Sequence, residues 1–285
     1  MSHFKIFIEL TRLNKPIGFM LLFWPCSWGL AYAYSFNKNT NLFFYYMLLF
    51  FLGSVLMRSA GCIFNDIVDK DFDKKVQRTK LRPLASGKIS VIRSMVYVVL
   101  LCVTAFIVLI QFNFTTIMLG LGSMFLAFAY PFMKRITYWP QLFLGLTFNW
   151  GIIMAWTSVN NDISLNIILL YLAAIFWTLG YDTIYGAQDM SEDEIIGVKS
   201  TSIKFKKNIK LFITLSYCLS GIIIFYILKD FLNSYLLIFL VLFFSSLIFQ
   251  IVTFNISSKF SCLKAFKTNN LSGLMLFITF LMINN

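Results

Sequence analysis

Residues 43–64 read FFYYMLLFFLGSVLMRSAGCIF, and Asn65-Asp66-Ile67-Val68-Asp69-Lys70-Asp71-Phe72-Asp73 follows without a break. A helix needs about 20 mostly apolar residues to cross about 30 Å of hydrocarbon. The first stretch supplies them with one charge, Arg58. Four aspartates then crowd the end of the run, where ionised groups at a bilayer edge are rare and mark function by default. An apolar span ending in clustered carboxylates points to a membrane helix with chemistry at its mouth.

Outward from that junction, similar runs lie near 17–35, 92–111, 114–133, 138–158, 164–186, 208–228, 233–253 and 270–284. They do not alternate in polarity as barrel strands do. With 59% apolar and 13% charged residues, the chain carries more apolar surface than a soluble domain of its length can hide. The expected fold is an all-α membrane protein, with about nine transmembrane helices around a central cavity opening to the cytoplasmic side. Placing the N-terminus in the cytoplasm puts every Lys and Arg except Lys38 and Lys229 on the inside. This is the positive-inside bias, and it accounts for the +12 charge without nucleic acid as a partner. His3 is the single histidine and the five cysteines form no CxxC pair. Histidine-assisted nucleophiles, histidine-bound metals and a disulfide framework are therefore excluded.

The inside segments 65–91 and 187–207 are long, and between them and Asp182 they hold all the acids except Glu9, Asp162 and Asp230. In the first, Asp66, Asp69 and Asp73 are spaced i, i+3 and i+7, one stripe of a helix with Asn65 beside it, while Asp71 points away. Three carboxylates on one face repel unless a cation sits among them. Mg²⁺ suits such a site, since it takes a few carboxylates together with water and phosphate oxygens. In the second, Asp182, Asp189 and Asp193 are i, i+7 and i+11, again one stripe; Glu192 and Glu194 read as an ordinary charged helix end. Two similar helix ends, four spans apart, suggest a duplicated layout facing one cavity. Arg78, Arg82 and Lys199 follow the stripes as phosphate-type partners, whereas Lys80, Lys204, Lys206 and Lys207 serve orientation. Acids and bases together fit a metal with a highly charged anion, because the metal inverts the local sign.

These residues carry a resemblance that runs from end to end. Arg12-Leu13-Asn14-Lys15-Pro16, Arg58 running into Asn65-Asp66, and Arg78-Thr79 with Arg82-Pro83-Leu84 resemble segments of the UbiA-type intramembrane aromatic prenyltransferases. So do Tyr130-Pro131 with Lys134-Arg135, Tyr181-Asp182-Thr183 through Asp189, Ile196 to Thr201, and Asn269-Asn270 with Gly273. Within that family the chain looks like the 4-hydroxybenzoate polyprenyltransferases. The resemblance implies that residues 1–285 form a single polytopic transferase domain capped by loops 65–91 and 187–207. It implies metal ligands at Asp66, Asp69, Asp73 and Asp193 for Mg²⁺, and substrate contacts at Arg58, Asn65, Arg78, Arg82, Lys199 and Tyr181. Asp189, Arg135 and Asp182 would be catalytic, with Arg135 on the acceptor carboxylate and Asp189 at the phenol or the ring proton. The implied partners are a polyprenyl diphosphate, 4-hydroxybenzoate and the lipid bilayer. The implied setting is ubiquinone biosynthesis at a bacterial inner membrane. Homogentisate or dihydroxynaphthoate acceptors, and an ion-coupled transporter, are the competing readings. Ser191-Glu192 departs from the family's usual residues, which leaves Glu192 without a role.

Overall fold

The structure, a computed structural model, describes residues 3–284, and these are helical throughout their regular parts. The helices are α1 (His3–Thr11), α2 (Ile17–Asn37), α3 (Thr40–Val68), α4 (Lys70–Asp73), α5 (Val91–Leu109), α6 (Phe114–Ile136) and α7 (Pro140–Asn149). They continue as α8 (Gly151–Asn160), α9 (Leu165–Gly186), α10 (Met190–Ile196), α11 (Thr201–Lys204), α12 (Ile209–Leu228), α13 (Ser234–Thr253) and α14 (Lys259–Leu281). Asn and Ser in the short connections start many of them. The side chains of Asn39, Ser90, Asn113, Ser164, Asn233 and Ser258 each accept a backbone N–H three residues on. These caps satisfy donors that a helix end otherwise leaves open, a larger penalty beside lipid than in water.

Among the described residues, eight spans are long and apolar enough to cross a membrane. The ninth expected run, 270–284, is the second half of α14, and its first half carries Lys259, Lys264, Lys267 and Asn269. That polar half keeps α14 outside the apolar set, although it packs on α2, α9 and α13. The expected span 138–158 is broken at Trp150 into α7 and α8. Two glycines set the α2–α8 crossing there. A Cβ on Gly29 would lie 2.5 Å from the Ile152 carbonyl oxygen, and one on Gly151 would lie 2.3 Å from Cys26 Sγ. Small residues let helices approach this closely in lipid.

Around the centre, α3 packs on α2 and α5, α2 on α8 and α14, α9 on α7, α12 and α14, and α7 on α6. Consecutive α5 and α6 thus lean mainly on different neighbours, α3 for α5 and α7 with α8 for α6, which touches α3 more lightly. A slot is left between them. Val96, Val99, Val103 and Phe125 are more than half exposed on these two helices, an apolar outer face suited to acyl chains. At the basic end the segment after α4 is anchored: Leu84 and Ile89 are buried with Ile6 and Leu10 of α1 and Ala60, Ile63 and Val98.

Candidate active site

The sequence spacing suggests one continuous helical stripe from Asp66 to Asp73, and the structure breaks it. α3 stops at Val68, Asp69 sits at φ −93° and ψ 3°, and α4 restarts at Lys70. The carboxylates nevertheless stay together. Asp66, Asp69 and Asp73 are 1%, 1% and 7% exposed, while Asp71 turns outward to Lys74 at 2.9 Å. Buried acids need positive partners, and two distant segments and the loop after α4 provide them. Arg12 binds Asp66, Arg82 bridges Asp66 at 3.1 Å and Asp73 at 2.8 Å, and Lys134 binds Asp69. Burial still pushes the Asp69 carboxyl above the usual range against the pull of Lys134. Its Oδ1 is buried without a hydrogen-bond partner.

The second arm is also broken. α9 ends at Gly186, and Asp189 precedes α10, which carries Asp193. Arg78, from the segment after α4, forks Asp189 with Nε–Oδ2 2.8 Å and Nη2–Oδ2 2.5 Å, and its Nη1 reaches the Tyr185 hydroxyl at 3.4 Å. The carboxylates of Asp182 and Asp193 have no hydrogen bond or ion pair among the described residues. Burial and the neighbouring Asp189 charge push Asp193 up to about 6.

Both arms face one cavity of about 1200 Å³. Its charged end holds Asp69, Asp73, Arg78, Arg82, Lys134, Asp189 and Asp193. From there it follows one face of α6, past Tyr130, Ala127 and Met124 to Gly120. Fourteen residues at 1.5 Å each make that path about 21 Å long. Its deep walls are Phe50, Leu109, Phe112 and Met154, and its flank is the α5–α6 slot, at Phe106 and Leu121. Partway along, Arg58 lies over the Phe148 ring at 5.1 Å, its buried Nε unpartnered. Gly18 makes room for it, since a Cβ there would come within 2.9 Å of that nitrogen.

The donor set fits a hard divalent cation. Asp69 Oδ1, with no hydrogen bond and only Arg135 at 3.8 Å, and the carboxylates of Asp182 and Asp193 offer oxygen donors. Among the described residues no three acidic, histidine or cysteine side chains close a ready cage. Mg²⁺ does not require one, because it keeps water and substrate phosphate oxygens in its shell.

Asn65, Arg58, Asp69, Asp73, Arg78, Arg82, Tyr181, Asp182, Asp189, Asp193 and Lys199 all lie on the cavity wall. Lys199 also donates to the Ile136 carbonyl at 3.1 Å. Asp66 sits behind the wall, under Arg12 and Arg82. Arg135 stands off it as well: it donates to the Val68 carbonyl at 2.6 Å, lies over Phe72 at 5.0 Å and comes 3.8 Å from Asp69. Sequence reasoning left Arg12, Lys134, Tyr130 and Tyr185 without site roles. Arg12 and Lys134 look like orientation charges, and only their convergence on Asp66 and Asp69 separates them from the rest.

The sequence model of the UbiA prenyltransferase family matches residues 22–280. The mitochondrial 4-hydroxybenzoate polyprenyltransferase of Arabidopsis thaliana is 47% identical over 209 residues, 73% of this chain and 51% of that protein. Its Drosophila melanogaster namesake is 40% identical over a 287-residue alignment, 96% of this chain and 70% of that protein. The chain thus spans from about half to 70% of the length of these curated relatives. Among solved structures, the apo UbiA homolog from Aeropyrum pernix K1 superposes with a TM-score of 0.75 at 19% identity, covering 91% of this chain and 96% of that one. The Archaeoglobus fulgidus UbiA homolog bound to GPP and Mg²⁺ gives 0.71 at 16% identity, over 98% and 100%. The matched residues run through both acid arms and the spans between them, so this multi-pass membrane protein belongs to the UbiA prenyltransferase family.

Proposed function

We propose that this protein is a Mg²⁺-dependent prenyltransferase that joins a polyprenyl group to the ring carbon ortho to the hydroxyl of 4-hydroxybenzoate. The products are 3-polyprenyl-4-hydroxybenzoate and diphosphate, in ubiquinone biosynthesis. The observation that carries this reading is a single cavity that is ionic at one end and apolar along the rest of its depth. Such a cavity suits a diphosphate with a long hydrocarbon tail. The names of the relatives at 40–47% identity support the acceptor.

Bound Mg²⁺ supplies positive charge to the diphosphate as the allylic C–O bond breaks. Asp69, Asp73 and Asp193 on the cavity wall would hold the ion, and Asp66, behind the wall, would join them only by leaving Arg12 and Arg82. Arg82 and Lys134, now bound to carboxylates, would be freed for phosphate oxygens if those acids held a metal, and Arg78 and Lys199 would complete the anion site. Charge stabilisation of the leaving group is the largest contribution expected here. The tail follows the apolar face of α6 and leaves for lipid through the α5–α6 slot.

The ortho ring carbon attacks the allylic carbon left by the departing diphosphate, and the ring proton then leaves. The expectation from sequence puts Asp189 at the phenol or that proton. The fork from Arg78 commits Asp189, and the unpaired Asp182 is the better acceptor for the proton. Arg135 reaches a substrate carboxylate only by leaving Phe72 and Asp69. Arg58, inside the cavity with its Nε free of hydrogen bonds and its guanidinium over Phe148, is the arginine we assign to the acceptor carboxylate. Loops 65–91 and 187–207 cap one transferase domain formed by residues 1–285 and keep water from the allylic cation.

The basic face is placed in the cytoplasm of a bacterial inner membrane, with the N-terminus there, on the positive-inside bias. A mitochondrial inner membrane with the same face in the matrix is the alternative that the relatives' names favour. Membranes containing the protein, given a polyprenyl diphosphate and a panel of 4-hydroxybenzoate, homogentisate and dihydroxynaphthoate, should prenylate the first. Preference for another acceptor would move the protein to a sister activity, and no transfer to any would remove the reading.

A further inference from the structure

Glu192 lies on α10 outside the cavity wall, yet both of its carboxylate oxygens are held by other segments. Oε2 accepts the backbone N–H of Gln77 at 2.8 Å, and Oε1 pairs with Nζ of Lys259, the first residue of α14, at 2.8 Å. The next residue after Gln77 is Arg78, whose guanidinium forks Asp189. Two consecutive residues of one cap segment are thus gripped by two residues of the other. Elsewhere the same segment bonds to its own arm, by Thr79 Oγ1 to the Asp73 carbonyl at 3.0 Å and by Arg82 to Asp66 and Asp73, and farther on Leu84 and Ile89 pack against α1 and α5.

We propose that Glu192 is a positioning residue, a clasp that fixes the backbone at Gln77 so that Arg78 presents its guanidinium to the diphosphate end of the cavity. The proposal rests on the prenyl-transfer reading above. A long arginine side chain points reliably only when its backbone is fixed, and the segment after α4 has no regular structure of its own until α5. An ionised carboxylate accepting a backbone N–H is a charge-assisted bond. Both bonds are exposed, but the Lys259 ammonium sits on a long flexible side chain, and such exposed pairs contribute little, whereas the Gln77 donor is part of the backbone itself. The bond to Gln77 should therefore dominate. Glu192 itself neither lines the cavity nor has an oxygen to spare for a ligand.

The test compares Glu192→Ala, Glu192→Gln and Lys259→Met in the full chain in membranes. Glu192→Ala should raise the KM for polyprenyl diphosphate about threefold to tenfold, with kcat and the acceptor KM nearly unchanged. Glu192→Gln keeps an oxygen for Gln77 and should recover most of the loss, and Lys259→Met should change the donor KM by less than about twofold. A donor KM for Glu192→Ala equal to that of the unsubstituted chain overturns the clasp, as does a rise in both KM values with a fall in kcat. A Gln77→Cys/Glu192→Cys pair adds a readout independent of activity: a short bifunctional thiol reagent should join the two, and failure to join them also overturns it. Absence of transfer by the unsubstituted chain, even where the cross-link forms, would overturn the prenyl-transfer reading instead, and with it the role given to Arg78.

Discussion

Each acid arm has a stripe of three aspartates, with Asp71 turned out of the first, and the two arms hold their stripes in opposite ways. In the first, Asp66, Asp69 and Asp73 are each matched by a base: Arg12 and Lys134 come from distant segments, and Arg82 from the loop that follows the arm. In the second, only Asp189 is matched, by Arg78, while Asp182 and Asp193 are unpaired. The first arm is a closed set of ion pairs that a ligand must exchange. The second offers free carboxylates and leans across to the first through Arg78. Buried ion pairs contribute little net stability, whereas an unpaired buried charge is costly. Asp182 and Asp193 escape that cost because they are half-buried on the cavity wall, where the second arm keeps its carboxylates open to water and to a cation or proton entering the cavity.

The comparison can be broken by experiment. If both arms share one metal, excess chelator should reduce transfer to background and added Mg²⁺ should restore it; activity that persists in chelator would separate the arms from metal altogether. Asp69→Ala should lower kcat/KM by about two to three orders of magnitude, the scale of losing one charge-stabilising group in a site. A near-normal rate would leave the second arm to work alone. Stability should split the arms by sign. Asp66→Asn strips Arg12 and Arg82 of a buried partner and should cost about 3 kcal/mol, while Asp182→Asn should leave stability unchanged or raise it by about 1 kcal/mol. Thermal unfolding in detergent measures both, and equal losses would erase the contrast. Arg58→Ala should raise the acceptor KM about tenfold, with Arg135→Ala affecting it less; the reverse order would return the carboxylate to Arg135. The smallest effect belongs to the tail path. Ala127→Trp, on the cavity face of α6, should lower kcat/KM for long donors a few-fold more than for short ones. Equal effects would place the tail elsewhere.

Much of this was legible in one dimension, because it depends on periodicity and on the cost of charge near lipid. The apolar runs, the lysine and arginine bias, and the exclusion of Asp71 by helical phase are local properties. Asp71 does face outward, with a side chain 85% exposed. The breaks at Asp69 and after Gly186 were not legible. Local spacing is the same for a continuous stripe and for one interrupted by a turn, and the ion pairs that hold Asp69 in its turn come from α6. The polar start of α14 likewise hid a helix that packs along its length on α2, α9 and α13.

By itself the sequence determined that the chain is a helical membrane bundle with two acid-bearing mouths on its basic side. Which base meets which acid was decided only in three dimensions. Arg12 and Asp66 lie 54 positions apart, and Arg78 and Asp189 lie 111 apart. A lysine or arginine that pairs with a buried carboxylate looks, residue by residue, like one that merely orients the bundle. Burial and proximity separate the two, and both arise from how the helices pack.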